Sequence, residues 1–165
     1  MAIELFGFRI GKVDDTSEVR QAEQIPSFAP PPNTDGAIEV VQVTDEGIKL
    51  GVIGDVEPVG ICGSGLVDAV YVLHKAKLID DSGRFATDEQ ALEIAPHLAS
   101  RLLTREAGDR IFVLHWDGDE PTVYLSQRDV RELQFAKASI ATGWRLLLEE
   151  MGLVDDDVQQ VLLAG

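Results

Sequence analysis

The sequence is poor in cysteine, in basic residues and in long apolar runs, and each shortage excludes a class of protein. Cys62 is the single cysteine, so the chain forms no internal disulfide and no metal or iron–sulfur site built from cysteines alone. Its 14 basic residues stand against 29 acidic ones, a net charge of −15, and that field repels nucleic acid and anionic membrane surfaces. No apolar run approaches the ~20 residues that span a bilayer, and no signal peptide opens the chain. We therefore expect a cytoplasmic protein that binds neither nucleic acid nor membrane.

The composition changes at about residue 37. Residues 1–36 contain three successive prolines, Pro30 to Pro32, which fit neither a helix nor a central strand. We expect this part to be an extended, disordered arm. Residues 37–165 have the apolar patterning of a packed domain, in a chain that is 45% hydrophobic and 26% charged, as globular proteins are.

The packed part alternates strand and helix patterns, which predicts a mixed α/β fold. Strands are expected at 40–43 and 48–53, as a hairpin at 111–116 and 122–125, and as an apolar run at 161–163. A turn is expected at Ser82-Gly83, and a short helix interrupted by Pro96 within 88–105. Helices are expected at about 64–77 and from the Ser126 cap to Gly152, with Asp129 completing a capping box. The longer helix carries a predicted buried stripe of Val130, Leu133, Ala136, Ile140, Trp144, Leu147, Leu148 and Met151.

The most informative segment is GICGSGLVDAV, residues 60–70, in which glycines directly precede an apolar helical run. Backbone N–H groups at such a helix start bind anions readily. On this interpretation Gly60, Gly63 and Gly65 let the backbone approach a nucleotide and Ser64 caps the helix. The alternative is a tight turn in which glycine only supplies positive φ. Cys62 is read as a small buried residue, the alternative being a thiol activated by the helix start.

Four segments together resemble one family: GICGSGLVDAV (60–70), LIDDSGRF (78–85), LSQRDVRELQFAKASI (125–140) and VLLAG (161–165). They are similar to the C-terminal ATPase domain of the reductive activators of corrinoid proteins. That family belongs to the acetate kinase, sugar kinase, heat-shock-chaperone and actin (ASKHA) superfamily. The resemblance implies a partial actin/acetate-kinase-like domain over residues 37–165, with ATP and Mg²⁺ as cofactors and a corrinoid protein as partner.

Complete members of this family use ATP hydrolysis to drive electrons from a ferredoxin-type cluster to an inactive Co(II) corrinoid. Their two Asp-Gly-Thr-type phosphate loops, and the cysteines of the cluster, have no counterpart in these 165 residues. Their last glycine motif continues beyond the point where this sequence stops, at Gly165. We therefore expect a partial nucleotide-binding domain that is not catalytic alone, and we assign no catalytic and no metal-binding residue.

The resemblance also implies a nucleoside site. QFAK, residues 134–137, is similar to the Glu-Arg-Ala-Lys turn that clasps the nucleoside in heat-shock chaperones. Gln134 would then bind ribose and Lys137 would face the ribose or the phosphates, with Ala164 and Gly165 beneath the adenosine. We expect the glycine turn and the Lys137 helix on opposite walls of one cleft. The alternative for Lys137 is a side chain that packs its stem and extends its ammonium into water.

The other polar residues receive structural interpretations. Asp68, Asp129 and Glu132 are expected to be helix-terminal or surface charges, and Arg128 and Arg131 to pair with neighbouring acids. Three scattered histidines lack metal-ligand spacing. Asp155 to Asp157 are read as a solvated cap, because the other ligands of a calcium loop are missing.

Two further hypotheses concern the chain as a whole. Residues 2–12 and 25–40 resemble the opening of a portal protein from tailed phages. This resemblance supports an alternative function, a structural or interaction fragment that self-associates through the strand at 161–163. A reading frame that is truncated or misassembled is the third possibility.

Overall fold

The computed structural model describes residues 34–105 and 108–160. Of these, residues 34–133 belong to one compact unit and residues 134–160 to another, and each unit is described by itself. The predicted arm at 1–36, apart from its last three residues, and the predicted strand at 161–163 lie outside the described residues. The same holds for the segments that resemble a phage portal protein, except for residues 34–40.

The first sheet begins with the predicted hairpin. Strand β1 (Ala37–Thr44) pairs antiparallel with β2 (Gly47–Val52) through a turn at 45–46. A short third strand, β3 (Gly60–Ile61), pairs parallel with the start of β1, so the order is β2-β1-β3. The two long strands confirm the prediction.

Helix α1 (Gly63–Lys75) follows β3 directly and lies against β1. Its buried residues are Gly65, Leu66, Ala69 and Leu73. It ends two residues before the predicted end because Lys77 adopts a left-handed conformation, φ 61°. The N–H groups of Lys77 and Leu78 then donate to the carbonyl oxygens of His74 and Leu73, which completes the helix end.

A turn and two short helices connect the sheets. The turn at 80–84 is organised by Asp80 Oδ1, which accepts from the N–H groups of Ser82 and Arg84 at 2.8 and 2.9 Å. The predicted glycine turn is confirmed at Gly83, whose φ is 81°. Helices α2 (Asp88–Ile94) and α3 (Pro96–Ala99) are separated at Pro96, as predicted.

The second sheet has the order β4-β5-β6 and is antiparallel throughout. Strands β5 (Arg110–Asp117) and β6 (Glu120–Ser126) form the predicted hairpin. Strand β4 (Leu102–Thr104) was not predicted, because its three residues have no pattern of their own. Phe112, Leu114, Val123 and Leu125 point into the core that α1 and β1 share.

Helix α4 (Gln127–Met151) begins at the predicted capping box. Asp129 Oδ2 accepts from the Ser126 N–H at 2.8 Å, and the Asp129 N–H donates to Ser126 Oγ at 3.2 Å. The helix ends at Gly152, φ 67°, which confirms both predicted ends.

The predicted buried stripe of α4 is wrong over most of its length. Val130 and Leu148 are buried, and Leu133 and Ala136 are half-buried. In contrast, Ile140, Leu147 and Met151 are exposed by 45%, 59% and 68%, and Trp144 by 37%. The periodicity correctly identifies one apolar face, but burial also needs a neighbour, and the described residues supply little cover for that face.

We predict that Gly65→Ala destabilises the protein by about 3 kcal/mol, the upper range for an overpacked site. A Cβ at this position would lie 2.1 Å from the backbone carbonyl oxygen of Ile38, so α1 would have to move away from β1. The free energy of unfolding from urea denaturation measures the effect. Gly63→Ala is the matched control, because its Cβ would meet nothing within 4 Å, and equal denaturation midpoints for the two variants would contradict the packing argument.

A second prediction concerns Asp80. The N–H of Arg84, followed by the hydroxyl of Ser82, lowers the pKa of this carboxyl below its ordinary value of 3.8. A carboxyl whose pKa is lower in the folded state stabilises the fold above that ordinary value, and the contribution disappears as the pH falls through the folded pKa. Asp80→Ala should therefore destabilise the protein near neutral pH and have progressively less effect below pH 3.8.

Thermal unfolding across this pH range measures the effect, with Asp80→Asn as the matched control. Asparagine keeps an acceptor oxygen but cannot ionise, so the stability of both variants should fall short of the wild type by less and less below pH 3.8, whereas the difference between the two variants should not change with pH. A difference between Asp80→Ala and the wild type that stays constant down to strong acid would contradict the assigned role.

Candidate functional site

The glycine turn connects the end of β3 to the start of α1. Gly60 is buried and pairs with Ala37 of β1, and the Cys62 N–H donates to the Ile38 carbonyl oxygen at 3.0 Å. The residue that precedes the first helical turn is Cys62, with φ −88° and ψ 177°. The expectation that Ser64 caps the helix is therefore wrong, because Ser64 already lies inside the first turn.

The first backbone N–H groups of α1 have no capping side chain. The first helical bond runs from the Leu66 N–H to the Cys62 carbonyl oxygen at 2.9 Å, which leaves the N–H groups of Gly63, Ser64 and Gly65 without helical acceptors. The Cys62 side chain makes no capping bond to them. These N–H groups and the helix dipole make this end of α1 locally positive in an acidic protein.

The three glycines of this turn lie in three different environments. None of them has positive φ, so the alternative interpretation, in which glycine only supplies that turn conformation, is wrong. Gly65 is required by its approach to Ile38, and Gly60 is a buried strand residue. Gly63 is exposed, and a Cβ on it would meet nothing within 4 Å. Only Gly63 therefore borders open space at the helix start.

Cys62 and Ser64 face each other across this turn. The Cys62 Sγ lies 3.1 Å from the Ser64 Oγ, and the cysteine is half-buried rather than fully buried. Ser64 is exposed, so its hydroxyl is accessible beside the bare N–H groups. The pair therefore places a hydroxyl group and a thiol together at the start of α1.

The carboxylates expected to be surface charges separate into two groups. Asp68 is half-buried, and its Oδ2 accepts from the Val41 N–H of β1 at 3.4 Å, so it occupies an edge of the sheet beyond the end of β3. Asp129 is 2% exposed within the capping box. The helix-terminal interpretation is therefore confirmed for Asp129, while Asp68 is not a surface charge. Glu132 is exposed and lies 3.8 Å from Arg128. Each of these contacts is structural.

Gln134 and Lys137 are both exposed residues of α4, which is compatible with either interpretation of Lys137. They belong to the second unit, whereas the glycine turn belongs to the first. Ala164 and Gly165 lie outside the described residues. The nucleoside clasp and the cleft that would contain it therefore stay predictions.

Histidines and aspartates take part in local contacts. His74 lies 3.1 Å from Asp81, and His115 lies 3.1 Å from Glu57. Asp155 to Asp157 form a 3₁₀ turn in which Asp157 Oδ2 accepts from the Val154 N–H at 2.9 Å. Within residues 34–105 and 108–160 no group of three or more His, Cys, Asp or Glu side chains is arranged to hold a metal ion. No helix of that same part is long and apolar enough to cross a membrane.

Sequence reasoning missed Gln127, the residue that joins α4 to the turn before α2. Its Nε2 donates to the Gly83 carbonyl oxygen at 2.6 Å, and its Oε1 accepts from the Phe85 N–H at 3.1 Å. Arg110 was also missed; it donates to the Ala86 carbonyl oxygen and to Asp88 at 2.8 and 2.7 Å. Partners more than 20 residues away leave no local signal, so only coordinates reveal these contacts.

These elements define a domain of the ASKHA type, with a mixed α/β architecture and a glycine turn that opens a helix. The family model for the C-terminal ASKHA domain of RACo matches residues 32–165. The chain belongs to this family.

Two relatives extend the comparison. The chain is 38% identical over 135 residues to the "Corrinoid activation enzyme RamQ" of Eubacterium limosum, a match that covers 80% of this chain and 22% of that protein. It is similar in structure to a "Reductive activator for corrinoid,iron-sulfur protein", with a TM-score of 0.63 and 32% identity over 78% of this chain and 20% of that one. The chain therefore spans about a fifth of the length of these relatives.

We predict that Gln127→Ala lowers the free energy of unfolding by about 2 kcal/mol, because two half-buried backbone groups lose their partner. Arg128→Ala is the matched control on the same helix turn, since its exposed pair with Glu132 is 3.8 Å long and worth less than about 0.5 kcal/mol. Chemical denaturation of both variants measures the difference. Equal effects would show that the Gln127 bonds do not hold the 83–85 turn.

Proposed function

We propose that this chain forms part of the ATP-binding domain of a reductive activator of corrinoid proteins. The observation that carries the proposal is the start of α1, where the N–H groups of Gly63, Ser64 and Gly65 lack helical acceptors and where Gly63 borders open space. Membership of the RACo C-terminal domain family supports the choice of a nucleotide over other anions.

The chemistry of this helix start fits a phosphate oxygen. The N–H groups of the exposed residues Gly63 and Ser64 lie at the positive end of a 13-residue helix, and the exposed Ser64 hydroxyl adds another donor. The net charge of −15 repels a polyphosphate at long range, so binding would depend on these local donors. We expect the affinity for ATP to be low for the same reason.

The described residues near the turn do not fit a Mg²⁺ ion. The nearest carboxylate along the chain, Asp68, already accepts from the Val41 N–H, and Mg²⁺ requires several oxygen ligands in octahedral geometry. We therefore derive no hydrolytic step from these residues, and we propose that the metal would arrive with the nucleotide. The single cysteine of this sequence cannot supply the four thiolates of an iron–sulfur cluster.

The nucleoside end of the site is a proposal based on α4. Gln134 and Lys137 are exposed there, three residues apart and on neighbouring faces of the helix. We propose that Gln134 donates to ribose and that the Lys137 ammonium faces the ribose or the phosphates, with Ala164 and Gly165 beneath the base. A corrinoid protein would be the partner of the whole activator, and we propose a cytoplasmic location for it.

We predict that the chain binds MgATP with a dissociation constant on the order of 1 mM, equivalent to about 4 kcal/mol, and hydrolyses none. Gly63→Asp should weaken binding about tenfold, because a carboxylate would occupy the place of the phosphate oxygen. Isothermal titration with MgATP and a phosphate-release assay measure the two quantities.

Two matched controls separate specific effects from general charge. The control for Gly63→Asp is Val67→Asp, which adds the same charge one turn further along α1 at an exposed position. Lys137→Ala tests the proposed clasp, and its control is Arg145→Ala, which removes another exposed cation of α4. Only Gly63→Asp and Lys137→Ala should weaken binding. ATP turnover that disappears in Lys137→Ala would contradict the absence of hydrolysis, and equal affinities for all four variants would contradict the site.

The competing proposal is an interaction fragment that self-associates. A stable oligomer in sedimentation velocity, with a mass that MgATP does not change, would favour it over nucleotide binding.

A further inference from the structure

A groove lies at the C-terminal end of α1, between the end of that helix, the turn at 80–84 and α2. Its volume is about 310 Å³, which is at the lower limit for pockets that hold small molecules. The residues that line it include Lys77, Ile79, Arg84, Gln90 and Ile94. All of them belong to the first compact unit. The nucleotide proposal concerns the opposite end of α1 and gives this groove no role.

The floor of the groove is apolar and is held in place by backbone hydrogen bonds. Ile79, Phe85 and Ala86 are buried. Ile79 and Phe85 form an antiparallel bridge, and the Ala86 N–H donates to the Leu78 carbonyl oxygen at 2.9 Å. Ile94, which is 48% exposed, adds an apolar wall. The groove is therefore preformed and offers an apolar surface to a ligand.

Three side-chain donors line the same groove from three different elements. Lys77 follows α1, Arg84 ends the turn, and Gln90 belongs to α2. Among the described residues, the Lys77 ammonium and the Arg84 guanidinium have no hydrogen-bond or ion-pair partner, and Arg84 has only a longer-range charge interaction with Asp80. The Gln90 Oε1 accepts from the Thr87 N–H at 2.9 Å, which leaves the Gln90 Nε2 to donate.

The two carboxylates beside the groove already have partners. Asp80 Oδ1 accepts from the N–H groups of Ser82 and Arg84 and from the Ser82 hydroxyl, at 2.7 to 2.9 Å. The Asp81 side chain is 96% exposed and lies 3.1 Å from His74 Nε2. The groups that the groove offers to a ligand are therefore mainly donors and cations, and they favour an anion.

Lys77 occupies a backbone position that glycine commonly fills at the end of a helix. Its φ of 61° is left-handed, and its N–H and that of Leu78 close the helix on the carbonyl oxygens of His74 and Leu73. A side chain at such a position costs free energy relative to glycine. The helix dipole does not require this cation, because His74 and Lys75 already lie in the last turn. A lysine that costs stability at this position therefore indicates a role for its ammonium outside the fold.

We propose that this groove binds a small organic carboxylate with a short apolar body. The carboxylate accepts from Lys77, Arg84 and Gln90, and the body lies on the apolar floor against Ile94. The volume of the groove restricts the ligand to a small molecule. The net charge of −15 repels anions at long range, so we expect a dissociation constant on the order of 10 mM.

Titration of the whole 165-residue chain with hexanoate, followed through the amide chemical shifts, tests the proposal. We expect saturable shifts at residues 77–86 and 90–94. Acetate has the head group alone and hexanol has the body alone, so each should bind at least about tenfold more weakly than hexanoate. The absence of saturable shifts, saturable shifts confined to other residues, or equal affinities for hexanoate and either comparison compound would overturn the proposal.

Two pairs of variants identify the side chains that bind. Lys77→Gly should weaken hexanoate binding about tenfold. Lys75→Ala is its control and should leave binding unchanged, because the Lys75 ammonium lies 5.5 Å from the centroid of the Tyr71 ring and does not line the groove. Ile94→Ser should weaken binding and Leu92→Ser should not, since both side chains are exposed but only Ile94 lines the groove. Equal effects within either pair would overturn the proposal.

Urea denaturation of the same variants separates binding from folding. Lys77→Gly should leave the denaturation midpoint unchanged or raise it, because glycine adopts a φ of 61° without strain. A midpoint lower than that of Lys75→Ala would show that Lys77 serves the helix end, and would overturn the proposal. Arg84→Gln keeps the turn, whose bonds at residue 84 are made by its backbone, and it should also weaken hexanoate binding. Unchanged binding in Arg84→Gln would equally overturn the proposal.

Discussion

The approach of α1 to β1 is the constraint on which the rest of the first unit depends. Helix and strand lie so close at Gly65 that a single methyl group would collide with the Ile38 carbonyl oxygen. The same carbonyl region also anchors the turn, because Ile38 accepts from the Cys62 N–H. Since β3 ends at Ile61 and α1 begins at Gly63, this approach determines where the first helical N–H groups point.

Charged side chains also form hydrogen bonds with backbone groups of β1 and β5. Asp68 accepts from the Val41 N–H at the edge of β1, and the Arg101 guanidinium donates to the carbonyl oxygens of Val113 and Leu114 at 3.0 and 3.1 Å. Burial lowers the pKa of Arg101, but an arginine keeps its charge at any pH at which the protein folds. Asp68 and Arg101 therefore each bind backbone groups of a strand, and these structural contacts account for their two charged side chains.

Family membership and geometry contribute different parts of the functional argument. The family model establishes what kind of domain the chain is, while the start of α1 shows where an anion would find donors. Gly63 is the position at which the two lines of argument agree, because neither backbone conformation nor packing requires glycine there. Gly65, which the same motif contains, is explained by packing alone.

The sequence by itself determined what depends on neighbours within a few residues: the hairpins, the Ser126–Asp129 cap, the helix end at Gly152 and the break at Pro96. Tertiary structure alone decided which glycine packs and which borders open space, how Gln127 holds a turn 44 residues away, and where β4 pairs. It also decided that most of the apolar face of α4 is exposed. Periodicity is local and can be read along one helix, whereas burial requires a second element that the pattern of the first does not specify.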